Sequence, residues 1–155
     1  MYRTTTLLAV LLATILAHQA LAASSILVLR EASGHLLLIT ETVIYSDGTV
    51  SRETTDYYKD ADSFIRRTAW HLSPSALTEV NSLLPQIMGL SEHVSEEGAL
   101  RLDPATRTFE FTFEGRLCYS SFESYLDESL VTGQAEHFTN LWRKVSDLVN
   151  AQEVP

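Results

Sequence analysis

LLLITETVIYSDGTVSRETTDYY, residues 36–58, is the stretch whose reading decides the fold. In its first part Thr40, Thr42 and Ile44 alternate with Glu41, Val43 and Tyr45. That period of two puts successive side chains on opposite faces of a strand. Ser46-Asp47-Gly48-Thr49 follows, and residues 50–58 return as another strand. Asp-Gly between two alternating runs is a strong hairpin signal, because a type I′ turn needs two residues at positive φ. An antiparallel pair over residues 36–45 and 50–58 is therefore expected.

The strand pattern continues on both sides of this hairpin. Upstream, residues 25–31 (SILVLRE) are rich in branched side chains and read as a first strand, closed by turn chemistry at Ala32-Ser33-Gly34-His35. Downstream, a polar break at residues 59–63 precedes residues 64–72, FIRRTAWHL. There Phe64, Arg66, Thr68 and Trp70 share one face, and Ile65, Arg67, Ala69 and His71 the other. An arginine on each face points to an edge or a partly exposed strand. Leu72-Ser73-Pro74 then opens a helix. Ser73 is a favourable N-cap, Pro74 stands at the first helical position, and Leu72 and Leu77 are spaced as a hydrophobic staple. Leu77, Val80, Leu84 and Ile87 make its apolar stripe, widened by Leu83 and Met88, with Pro85 placed to kink the last turn and Gly89 to end it.

The second half repeats the theme. Residues 90–98 are acidic and irregular, residues 99–102 read as a short strand, and Asp103-Pro104-Ala105-Thr106 as a turn. Residues 107–114 are the clearest strand, with Phe109, Phe111 and Phe113 on one face against Glu110, Thr112 and Glu114. Gly115 turns the chain into a hairpin partner at residues 116–122, and residues 124–132 follow neither pattern. From about Gly133 to Asn150, Phe138, Leu141, Trp142, Val145, Leu148 and Val149 recur at helical spacing. Strands, helix, strands, helix, with short connections and no βαβ alternation, predict an α+β fold. The expected architecture is an antiparallel sheet of about five to six strands with two helices packed on one face.

Residues 1–22 stand apart. Arg3 is their only charge, residues 7–17 are an apolar run of 11 broken only by Thr14, and Ala20-Leu21-Ala22 is a small-x-small cleavage site. This is the layout of a secretory signal peptide, and the run is well short of the roughly 20 residues that span a bilayer. The expected organisation is a signal peptide over 1–22 and a single α+β domain over 23–155. The protein would then be periplasmic or secreted, without stable membrane insertion after cleavage. Cys118 is the sole cysteine of the 155 residues, so no intramolecular disulfide can form. Small exported domains of animals usually rely on such staples, which favours a bacterial periplasmic protein. Eleven basic against 20 acidic residues give a formal charge of −9, which repels phosphate backbones and argues against nucleic acid as a partner.

Reading for chemistry yields no catalytic, cofactor-binding or metal-ligating residue. His35, His71, His93, His137 and Cys118 are not paired at ligand spacing. Asp56, Asp60 and Asp62 cluster without the glycine and terminal glutamate of a calcium loop, and read as a solvated acidic segment. No Gly-x-Ser-x-Gly elbow or glycine-rich phosphate loop occurs. A nucleophilic thiol needs a histidine and a cationic setting, and on a predicted strand Cys118 has only Arg116 beside it. The three phenylalanines from 109 to 113 resemble a base-stacking platform, but Glu110 and Glu114 flank them where such platforms carry cations, so they read as core.

Three places resemble a known family: Arg30-Glu31-Ala32-Ser33-Gly34 at the end of the first strand, Tyr45-Ser46-Asp47-Gly48-Thr49-Val50 in the hairpin, and Leu72-Ser73-Pro74 at the helix opening. This layout resembles small bacterial domains related to emfourin, a proteinaceous inhibitor of thermolysin-like metalloproteases, over the N-terminal half of the chain after residue 22. Those domains carry a glycine-rich loop after the first strand, where this sequence has only Gly34 followed by His35. The resemblance implies the fold more than the function, and no inhibitory residue carries over. The expected function is a non-enzymatic binding module, a protein inhibitor or immunity-type protein, with a basic hydrolase or toxin as the protein partner. A small periplasmic hydrolase using dispersed acidic and histidine residues, and a structural envelope protein, are the alternatives.

Overall fold

A computed structural model describes residues 23–33, 38–57, 64–94, 105–114, 116–124 and 132–153. The chain forms strands β1 (Ser25–Ser33), β2 (Leu38–Tyr45), β3 (Thr49–Asp56) and β4 (Phe64–His71), then helix α1 (Pro74–Met88). Strands β5 (His93–Val94), β6 (Ala105–Phe113) and β7 (Arg116–Ser124) and helix α2 (Gly133–Asn150) complete it. The strands make one sheet in the order β4-β3-β2-β1-β6-β7-β5. The six long strands are antiparallel throughout, as the alternating patterns require. The fold is α+β.

Four expectations need correction. The sheet has a seventh strand, because His93 and Val94, within a segment read as irregular, pair in parallel with Ser121 and Phe122. Two residues cannot show a period, so no alternation could reveal them. Ala105 and Thr106, assigned to a turn, already lie in β6, opposite Ser124 and Glu123. Ala32 and Ser33 likewise extend β1. The hairpin is also not a type I′ turn. Gly48 alone has positive φ, at 87°, and Asp47 does not. Gly48 N–H donates to Tyr45 C=O at 3.0 Å, and Asp47 Oδ1 accepts from Thr49 N–H at 2.9 Å. This is a three-residue loop, a turn followed by a left-handed glycine. A Cβ on Gly48 would lie 3.5 Å from Leu72 C=O and from Leu77 Cδ2, so the tight loop also seats the start of α1. The strand predicted at 99–102, the turn residues Gly34, His35 and Gly115, and the segment 1–22 lie outside the described residues. In the β6–β7 turn it is Glu114 that adopts positive φ, at 49°.

One face of the sheet carries the core. Leu27, Leu29, Ile44, Val50, Trp70, Phe109 and Phe122 are buried on it, all at alternate positions of their strands. The helices cover that face because their own apolar stripes match it: Ala76, Val80, Leu83 and Ile87 from α1, and Ala135, Phe138, Leu141, Trp142, Val145 and Val149 from α2. Ser73 caps α1 by accepting from Ala76 N–H at 3.3 Å, and Pro74 follows as the sequence suggests. Helix α2 crosses the strands. Near its start, Phe138 packs 5.0 Å from Phe109 and 5.5 Å from Phe122, ring centre to ring centre. At its end, Val149 C=O accepts from Trp70 Nε1 at 3.1 Å. Phe109 therefore belongs to the core and not to a stacking platform.

Candidate functional site

Three places on this fold combine polar or exposed groups in a way that helps to define a site. The first lies under the end of α2. Arg52 projects from β3 onto the covered face and meets four groups from four parts of the chain. Its Nε donates to Thr42 Oγ1 at 3.0 Å, its Nη atoms to Glu153 Oε2 and Asn150 Oδ1 at 2.6 Å each, and its guanidinium lies 5.0 Å from the Trp70 ring centre. A cation at a helix C-terminus also meets the negative end of the helix dipole. All three of its nitrogens donate within the protein, so Arg52 is an anchor that ties β3 and the C-terminal tail to α2. Arg107 acts similarly next to it, paired with Glu31 at 2.8 Å and over the Trp142 ring at 5.7 Å.

The second place is the β7 edge. Strand β5 covers Ser121 and Phe122 but not Arg116–Tyr119. Ile87, Met88, Leu90, Phe111, Leu117 and Cys118 line a groove of about 410 Å³ there. Cys118 is half-buried, and its Sγ lies 3.7 Å from Arg116 C=O. A hydrogen bond to the Glu92 carboxylate holds the nearby Tyr119 phenol above its ordinary pKa. The local acceptors around the groove are a carbonyl and a carboxylate.

The third place, the opposite edge, is the candidate. Among the described residues β4 pairs only with β3, in an unbroken register from Thr49↔His71 to Asp56↔Phe64. Leu72 N–H donates to Gly48 C=O at 2.9 Å, which fixes the phase of that ladder. In an antiparallel pair the residues that bond inward alternate with those that do not. Even-numbered residues of β4 therefore bond to β3, and Ile65, Arg67, Ala69 and His71 direct their backbone N–H and C=O groups outward. The strand has no proline and no bulge, two of the devices that blunt an edge, and carries charge only at Arg66 and Arg67. Arg66 and Arg67 are both exposed, and Arg67 Nε bonds Glu53 at 2.7 Å.

The helix-free face beside this edge is polar. Arg30 links three strands by bonding Glu41 on β2 and Glu110 on β6, and the Glu41 bond holds its guanidinium pKa above the ordinary value. Exposed pairs of this kind contribute about 0–1 kcal/mol each. Between them the small residues Ser51 and Ala69 leave a depression of about 480 Å³, bordered by Val43, Tyr45, Glu53 and Arg67.

The sequence placed β4 correctly, with the faces and edge character its two arginines suggested. It missed Glu153, which lies beyond the last periodic residue and meets Arg52 across 101 positions. No local signal encodes such a pair. Of the histidines weighed and set aside as metal ligands, His71 and His137 are exposed on β4 and α2, while His35 lies outside the described residues. Asp56 ends β3, and Asp60 and Asp62 lie outside the described residues. No group of three or more potential metal ligands exists among the described residues, and no helix among them is long and apolar enough to cross a membrane.

The geometry thus defines a half-covered α+β sheet with one plugged edge and one edge that, among the described residues, has no further strand beside it. No protein-family model matches the chain, and no curated protein matches it.

Proposed function

We propose that this chain is a non-enzymatic, exported binding module that holds a protein partner by adding the partner's strand to β4. The observation that carries this reading is the β4 edge, which has no outer neighbour among the described residues: eight residues, unbroken, with four outward pairs of backbone donors and acceptors. Backbone pairing supplies affinity in such complexes, and side-chain pockets along the edge supply selectivity. An inhibitor or immunity-type protein fits this description, since it needs a rigid surface and no reactive group. The resemblance to emfourin-like domains leads to the same class. The hydrolase alternative draws no support from the open edge, which holds no cluster of acid, base and nucleophile.

The test is Ala69→Pro, which deletes one outward N–H while leaving the β3 ladder in place, at the kind of position where edge strands accept proline. Partners captured by the wild-type protein from periplasmic extract should be lost by the variant, with the melting temperature little changed. Undiminished capture by a folded Ala69→Pro protein would sink the reading. Hydrolysis of peptide, glycan or ester substrates by the purified protein would favour the enzyme alternative.

A further inference from the structure

The β4 edge carries chemistry as well as backbone groups. Arg67 lies on the helix-free face with its side chain 72% exposed, one of its nitrogens already bonded to Glu53. Arg66 lies on the opposite face, exposed, and forms no ion pair among the described residues. The chain has a net charge of −9, so two adjacent arginines on a free edge are a local reversal of its overall sign. A strand laid against β4 places one side chain beside each of these residues, one on each face. Two residues from Arg67, on the same face, stands Ala69, which with Ser51 floors the 480 Å³ depression walled by Val43 and Tyr45, with Glu41 and Glu53, each paired to an arginine, at its border. Alanine and serine in one cross-strand row leave a space wide enough for a neighbour's large side chain.

We propose that the β4 edge selects an extended acidic segment in which two adjacent carboxylates face Arg66 and Arg67 and an aromatic side chain, two positions from the nearer carboxylate, fills the depression over Ala69 and Ser51. The order is aromatic–x–acidic–acidic for an antiparallel strand and the reverse for a parallel one. Arginine and carboxylate pair with charge-assisted hydrogen bonds, and an aromatic group over Val43 and Tyr45 removes apolar surface from water. A second copy of this chain is a poorer occupant, because it sets two pairs of arginines along a single seam. The proposal rests on the reading of β4 as the partner-binding edge, and it differs from the expectation of a basic partner: the net charge favours one at long range, whereas the edge itself favours an acidic strand.

The experiment uses the whole chain and two fluorescent, end-blocked peptides, Thr-Val-Phe-Thr-Glu-Glu-Val-Thr and Thr-Val-Glu-Glu-Thr-Phe-Val-Thr, titrated by anisotropy. One of them should bind saturably, and replacing both glutamates by lysine should weaken it at least tenfold. Arg66→Ala with Arg67→Ala, two exposed positions, should remove that preference, and Ala69→Tyr should weaken the peptide by filling the depression. Methylating alternate peptide amides should abolish binding in only one of the two alternating sets, the one whose N–H groups face β4. Equal affinity for acidic and basic peptides would overturn the acidic-aromatic specificity while leaving edge pairing intact. Absence of binding by every peptide, or equal loss from both methylated sets, would overturn edge pairing as well. Concentration-dependent dimerisation that Arg67→Glu strengthens would identify a second copy as the occupant and overturn the proposal.

Discussion

The two edges of the sheet are finished in different ways. At the β7 edge the chain caps itself: β5 adds a short parallel strand, Ser120 Oγ donates to Ser91 C=O at 2.6 Å, and Ser121 N–H donates to Glu92 C=O at 3.1 Å. Beneath that cap Phe122 and Phe138 are fully buried. At the β4 edge the last strand has a partner on one side only among the described residues, and Trp70 is its one buried side chain of those described. The same sheet thus closes one edge on itself, while the other has a single neighbour among the described residues. Exposed edges invite pairing with other chains, and adjacent arginines limit which chains qualify.

The largest expected difference lies in the cores behind these edges. Phe122→Ala removes a ring buried against Phe138 and should cost about 3–5 kcal/mol, whereas Ile65→Ala on β4, where Ile65 is 44% exposed, should cost about 0.5 kcal/mol. Urea denaturation of both variants checks this, and similar losses would mean that the two edges are equally embedded. Arg52→Ala should come next, at about 1.5–3 kcal/mol, since it breaks charge-assisted bonds to Glu153 and Asn150 and strips the cation from Trp70. Amide exchange should then quicken in β4 and the end of α2 before it does in β7. Uniform exchange would show that Arg52 does not anchor the open side.

Ser120→Ala tests the plugged edge itself. It removes the hydroxyl that holds Ser91 C=O and should cost about 1 kcal/mol, with faster exchange at the Ser121 amide. An unchanged rate would leave β5 held by its backbone pairing alone. The smallest effect concerns pH at the hairpin that feeds β3 into the open half. The Thr49 N–H bond holds the Asp47 carboxylate below its ordinary pKa. Its contribution is therefore present above the ordinary carboxylate range and is lost as pH falls through the lowered folded value. Asp47→Ala should flatten that acid-side slope slightly, and a slope identical to wild type would remove Asp47 from the account.

Much of this molecule was legible from local pattern. Alternation in residues 38–45, 64–71 and 107–113 determined strands and their faces, because a period of two has one structural meaning when one face is buried. The helix over residues 74–88 followed from Ser73, Pro74 and the leucine stripe, and the helix over 133–150 from its aromatic stripe alone. Arg66 and Arg67 on opposite faces of one strand already pointed to an edge or a partly exposed strand. Tertiary structure decided what local pattern does not carry. Strand order put β6 beside β1, and His93 with Val94 became a strand only because β7 offered them an open side. Glu153 reached Arg52 because α2 crosses the sheet diagonally to its far side. The depression over Ala69 and Ser51 exists because two small residues, 18 positions apart in sequence, fall into one cross-strand row. Those features depend on which distant segments pair, and a pairing energy has no periodicity in the chain that makes it.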